Sequence, residues 1–136
     1  MHQYIFVNLP VEDVERSRKF FTQLGYTINE DFSDDKAISV VLGQNMFAML
    51  LHKDFFASFH QNNVSLGGTA TEVLVALDAG SREEVDSLVD AALEAGATAV
   101  NSIDHGTMYG RSFADMDGHI WELTWMDMEA HRSAQD

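Results

Sequence analysis

The chain has 136 residues, a single proline and no cysteine, and its 8 basic against 22 acidic side chains leave a formal net charge of −14. That length suits one domain, enough to bury roughly two-thirds of the surface its unfolded chain would expose. Without cysteine there is no disulfide framework, thiolate metal site or cysteine nucleophile. The charge argues against a nucleic-acid or anionic-membrane partner, since both would repel it. No run approaches the roughly 20 apolar residues of a membrane span, and the first residues lack a signal-peptide pattern. A soluble, cytoplasmic, acidic protein is expected.

In chain order, Tyr4 to Leu9 reads as a strand ended by Pro10. Glu12 and Asp13 open a helix on which Val14, Phe20, Phe21 and Leu24 recur at helical spacing, with Gly25 as its stop. Strands are predicted over 26–32, 37–42 and 46–51, the last followed by a short helix within 52–61. The polar, glycine-containing stretch 62–70 is the linker between module one (1–61) and module two (71–128), with a tail over 129–136. A strand over 71–77 leads to a helix over 81–95. Ser81-Arg82-Glu83-Glu84 has the form of a capping box, and Val85, Leu88, Val89, Ala92 and Leu93 form the apolar stripe. Gly96 stops this helix. Strands over 97–102, 109–115 and 120–125 follow, with Asp117-Gly118 as a hairpin turn.

The plan therefore occurs twice as βαβββ. Val14 and Val85 correspond, as do Gly25 and Gly96, and Phe47-Ala48-Met49-Leu50 answers Ile120-Trp121-Glu122-Leu123. The acid is uneven: residues 1–68 hold five basic and eight acidic side chains, residues 69–136 three and fourteen.

Leu9-Pro10-Val11-Glu12-Asp13-Val14-Glu15-Arg16-Ser17-Arg18-Lys19-Phe20-Phe21, followed by Leu24-Gly25-Tyr26, resembles the opening of vicinal oxygen chelate proteins. This superfamily includes glyoxalase I, bleomycin-resistance proteins, fosfomycin-resistance enzymes and extradiol dioxygenases. Tyr109 to Leu123, with its aspartate-glycine turn before a strand carrying Glu122, resembles the superfamily's final hairpin. The resemblance implies an α+β fold of two βαβββ modules forming cupped mixed sheets with helices outside. It also implies a homodimer, and in metal-dependent members a divalent ion held by His and Glu on the first and last strands of each module. Such an ion stabilises an enolate or oxyanion as a Lewis acid.

Carried over residue by residue, the ligand positions are Glu122 and Glu72 in module two, and Met49 and Phe6 (or Tyr4, one strand register earlier) in module one. Two are carboxylates and two are not ligands for a hard ion. Glu72 and Glu122 would hold Mg²⁺, Mn²⁺, Ni²⁺ or Zn²⁺ as an incomplete set, or act directly as acid/base carboxylates. Alternatively Glu122 pairs with Arg111 or His119, and Glu72 is a solvated edge residue. His105, Tyr109 and Arg111 offer an acid or base, a phenol donor and an anion clamp. The last two share one strand face, and the competing reading pairs Arg111 with Asp115 or Asp117. His52 is expected at the surface or capping a helix; His2, His60, His119 and His131 carry no assigned role. Trp121 and Trp125 are expected under the helices, with Glu122 and Thr124 facing the cup. Met49 and Phe6 would give its floor an apolar character.

Two functions follow for a small-molecule ligand. One is a glyoxalase-like protein with a degenerate metal site, performing a lyase- or isomerase-type reaction on an oxygen-rich substrate. The other is a metal-free, ligand-sequestering protein of the bleomycin-resistance type.

Overall fold

Helix starts are fixed by side chains that satisfy the first free N–H groups. Asp13 Oδ1 accepts the Arg16 N–H at 3.1 Å and begins α1 (Val14–Gln23). Ser81 Oγ accepts the Glu84 N–H at 3.0 Å and begins α3 (Arg82–Glu94). Glu84 returns a bond at 2.6 Å, to the N–H of Gly80 rather than of Ser81. Both helices end where the chain turns left-handed, at Gly25 (φ 101°) and Gly96 (φ 112°), a conformation open to glycine at little cost.

The computed structural model describes residues 1–66, 68 and 70–130. It divides into two compact units, Met1–Gly67 and Gly68–Asp136. The first contains β1 (Ile5–Val11), α1, β2 (Thr27–Ile28), β3 (Ala37–Gly43), β4 (Met46–His52) and the short α2 (Lys53–Ala57). The second contains β5 (Leu74–Asp78), α3, β6 (Thr98–Asp104), β7 (Met108–Ala114) and β8 (Ile120–Met126). Each unit has one mixed four-stranded sheet, ordered β1-β4-β3-β2 and β5-β8-β7-β6. The first strand of each runs parallel to the last and the other pairs are antiparallel. The fold is the expected α+β duplication.

Alternation along the strands separates a helix-covered face from an open one. In the first unit Leu9, Ile38, Val40, Ala48 and Leu50 are buried together with Phe20 and Phe21 of α1. In the second, Phe113, Trp121 and Leu123 are buried with Val85, Val89 and Ala92 of α3. Leu88 and Leu93 flank that stripe half-buried.

Three boundaries differ from expectation. Pro10 lies inside β1 rather than ending it. The Ile5 N–H bonds Asn45 O at 3.1 Å, so odd positions face β4 and Pro10, at an even position, turns its missing N–H away from β4, toward the outer side of the sheet. The strand expected over 26–32 is two residues long, because the Asn29 carboxamide accepts the Asp31 N–H at 3.2 Å and starts a 3₁₀ turn, Glu30–Phe32. The first strand of module two begins at Leu74, leaving Glu72 outside it. His52 caps α2, its Nδ1 accepting the Asp54 N–H at 3.2 Å.

Candidate functional site

The open face of the first sheet is built by register. Phe6 stands beside Phe47, and Asn8 beside Met49, which in turn faces Ser39 of β3. These residues line a hollow of about 500 Å³ with Tyr4, Asn29 and Phe32. Phe6 and Phe47 stack at 5.3 Å between ring centroids and 14° between planes. Tyr4 lies 6.3 Å from each, its plane within 27° of theirs. Tyr4 and Phe6 remain more than half exposed, so their faces are available to a third partner. Among the described residues, no carboxylate, imidazole or basic side chain lines the hollow.

The open face of the second sheet has a different floor. Glu122 stands beside Ala76 on one side and Ser112 on the other, with Asn101 beyond Ser112. A hollow of about 290 Å³ is lined by Glu122, Ser112 and Thr124 together with the apolar Leu74, Ile103 and Ile120, among others. Glu122 has no hydrogen-bond or ion-pair partner among the described residues, so neither Arg111 nor His119 neutralises it.

The remaining sequence candidates are distributed elsewhere. The register equivalent of Phe6 in module two is Leu74, and Glu72 is exposed and outside the Glu122 hollow. The two carboxylates are therefore not gathered in one hollow. Tyr109 and Arg111 do share a strand face, but it is the face toward α3. Tyr109 Oη donates to Asp86 Oδ1 at 2.6 Å, and Arg111 Nη1 reaches Asp86 and Asp90 at 3.0 Å each. These partners replace Asp115 and Asp117. They hold Asp86 below the ordinary carboxylate range, chiefly through the Tyr109 and Arg111 hydrogen bonds, and raise the Tyr109 phenol. His105 is exposed in the β6–β7 turn, bonded through its backbone N–H to Met108 O. His131 lies outside the described residues.

The Arg111 arrangement is a structural tie with a testable pH sign. A depressed Asp86 stabilises the fold above the ordinary carboxylate pKa, and that contribution is lost as the pH falls through the lowered value. Arg111→Met is expected to cost about 1 kcal/mol at pH 7 and less at pH 3, because the carboxylates are half exposed. Urea denaturation at the two pH values checks this. A loss that grows toward acid would contradict the assignment.

Sequence reasoning did not find Asn8, Ser39, Asn101 or Ser112. Asn8 and Ser39 carried a faint signal, being polar members of apolar strand runs, Ile5–Val11 and Ala37–Gly43.

The donor set does not fit a resident divalent ion. Three of the four superfamily positions are the apolar Phe6, Met49 and Leu74, and no group of three His, Asp or Glu side chains able to hold a metal occurs among the described residues. A hard ion takes several oxygen ligands, and Glu122 is one carboxylate beside hydroxyls and a methyl group.

Comparison with known proteins agrees with this geometry. The bleomycin resistance protein-like N-terminal family matches residues 3–43. A hypothetical protein from S. aureus is 29% identical, with a TM-score of 0.77 over 92% of this chain and 94% of its own. A glyoxalase-related enzyme from Fulvimarina pelagi is 19% identical, with a TM-score of 0.78 over 92% and 88%. A fosfomycin resistance protein from Mesorhizobium loti is 10% identical, with a TM-score of 0.69 over 97% and 98%. No curated protein matches by sequence. The family match within module one and the shared fold along nearly the whole chain make the protein similar to the glyoxalase and bleomycin-resistance proteins of the vicinal oxygen chelate superfamily.

Proposed function

We propose that the protein is a glyoxalase-like small-molecule protein of this superfamily whose metal site is degenerate, and that it takes its ligand without a resident metal. The observation that carries this reading is the aromatic hollow of module one. It presents near-parallel exposed rings and Met49 where a metal-dependent member would place ligands. Its volume is that of a small-ligand site, and its chemistry suits an uncharged planar group stacked on Phe6. The ligand-sequestering alternative shares this site. In either form Phe6 and Met49 touch ligand, whereas Tyr109 and Arg111 hold the second sheet to α3. A cytoplasmic homodimer completes the proposal. It is supported by the resemblance, and by the lack of any helix long and apolar enough to cross a membrane among the described residues.

Calorimetric titration with naphthalene-2-carboxamide, and separately with Mg²⁺, Mn²⁺, Ni²⁺ and Zn²⁺, tests the reading. Phe6→Ala is expected to weaken the aromatic probe about tenfold, near 1.4 kcal/mol, from lost stacking and apolar contact. The half-exposed position keeps the fold intact. Unchanged affinity would remove the aromatic hollow as the ligand site, and tight divalent-ion binding abolished by Glu122→Gln would return the protein to the metal-dependent class.

A further inference from the structure

Glu122 is a carboxylate in an unusual position for a protein with so many acidic groups. The others on its unit include solvated members of α3 such as Glu83, Glu84 and Glu94. Glu122 instead sits half-buried on the floor of a concave surface, with no internal partner. Arg111 borders the same hollow, but strand alternation sends its side chain through the sheet to Asp86 and Asp90, both at 3.0 Å. Glu122 is therefore the carboxyl group turned into this space, and no described side chain pairs with it. A half-enclosed carboxylate without a countercharge gains when an external cation supplies one.

The surroundings decide which cation. Ser112 is 7% exposed, its hydroxyl has no hydrogen-bond partner among the described residues, and it stands directly across the ladder from Glu122. Thr124 Oγ1 lies two residues along the same face of β8, and Asn101 Oδ1 is already engaged by the Ser102 N–H at 2.8 Å. A metal ion would find one carboxylate and weak neutral donors. A protonated nitrogen would find one ion pair plus two hydroxyl acceptors, with Leu74, Ile103, Met108 and Ile120 around its organic part. Fourteen acidic against three basic side chains on residues 69–136 add an attractive field for a positive ligand.

We infer that the hollow of module two is a binding site for an organic ammonium or amidinium group, paired with Glu122 and hydrogen-bonded by Ser112 and Thr124. This site stands on the second unit alone and holds whether or not the aromatic hollow of module one takes a ligand.

The test compares benzylamine, protonated at pH 7, with benzyl alcohol by NMR titration of the full chain. Benzylammonium is expected to saturate, to shift the amides of Ser112, Glu122 and Thr124, and to bind at least tenfold more tightly than the alcohol. Glu122→Gln should weaken it at least tenfold, and Ser112→Ala several-fold. Glu83→Gln, on the exposed face of α3, should leave it unchanged. Equal binding of the alcohol, or no saturable binding, overturns the proposal. So does an equal loss in Glu83→Gln, which would mark diffuse attraction to an acidic surface. Displacement of the amine by micromolar Mn²⁺ through Glu122 would make the site a metal site and also overturn it. Should Glu122→Gln fail to fold, the amine–alcohol comparison and Ser112→Ala decide. Failure here leaves the Phe6→Ala result untouched, so the two readings fall separately.

Discussion

Replacing Trp121 with alanine is expected to destabilise the protein by about 3–5 kcal/mol, the range for emptying a large buried aromatic site. Trp121 is 1% exposed, at the centre of the second sheet, with Val75 of β5 on one side and Phe113 of β7 on the other. Val85, Val89 and Ala92 of α3 close the same core. The indole has a second attachment: its Nε1–H donates to Asp115 Oδ2 at 3.0 Å. Alanine therefore removes ring volume that rigid neighbours cannot refill and strips a buried carboxylate of one donor. Trp121→Phe separates the two effects. It keeps most of the apolar volume and loses the hydrogen bond, for an expected cost of about 1–2 kcal/mol. Urea denaturation followed through Trp125 measures both. A Trp121→Ala loss below about 1 kcal/mol would contradict its placement in the core.

Much of this architecture is legible in the sequence because both modules use the same punctuation. An acceptor side chain opens each helix, a glycine closes it, and three apolar runs follow. What could not be read depends on partners distant in sequence. The period-two rule shows that Tyr109 and Arg111 share a face but cannot say which face of the sheet α3 covers. Asp86 and Asp90, one helical turn apart, settle it. The resemblance points to Glu72 as the first-strand carboxylate of module two, whereas pairing with β8 makes Leu74 the equivalent of Phe6. The Asn101–Ser112 pairing lies beyond a register shift between Ala99 and Asn101, invisible to alternation along one strand.

The two sheets also show how one scaffold acquires two chemistries. Ser39 and Ser112 occupy equivalent ladder positions, each beside an open-face residue of the last strand. In module one that residue is Met49, flanked on β1 by Asn8; in module two it is Glu122, flanked on β5 by Ala76. The exchange of thioether for carboxylate, with Leu74 and Ile120 in place of Phe6 and Phe47, distinguishes an aromatic floor from an anionic one. The backbone duplication is preserved, and the difference in ligand chemistry resides in a few side chains on the open faces.

Asp115→Ala is expected to cost about 3 kcal/mol and to change how stability depends on pH. Asp115 lies in the β7–β8 turn, where Oδ1 accepts the Asp117 N–H at 2.9 Å and the His119 N–H at 3.1 Å, and Oδ2 accepts the Trp121 indole. Removing the carboxyl leaves these donors without their acceptor in a largely buried turn. Burial pushes the Asp115 carboxyl up, with the indole, His119 and the backbone N–H groups acting against it. A raised carboxyl binds its proton more tightly in the folded than in the unfolded chain. Its titration then favours folding fully below the ordinary value near 4, and this contribution is lost as the pH rises through the raised value. The difference in stability between wild type and Asp115→Ala should accordingly be larger at pH 4 than at pH 7, opposite in sign to the Arg111→Met effect through Asp86. Urea denaturation across pH 4–7 resolves the two, and a difference that widens toward neutral pH would show that the three donors, not burial, set the charge on Asp115.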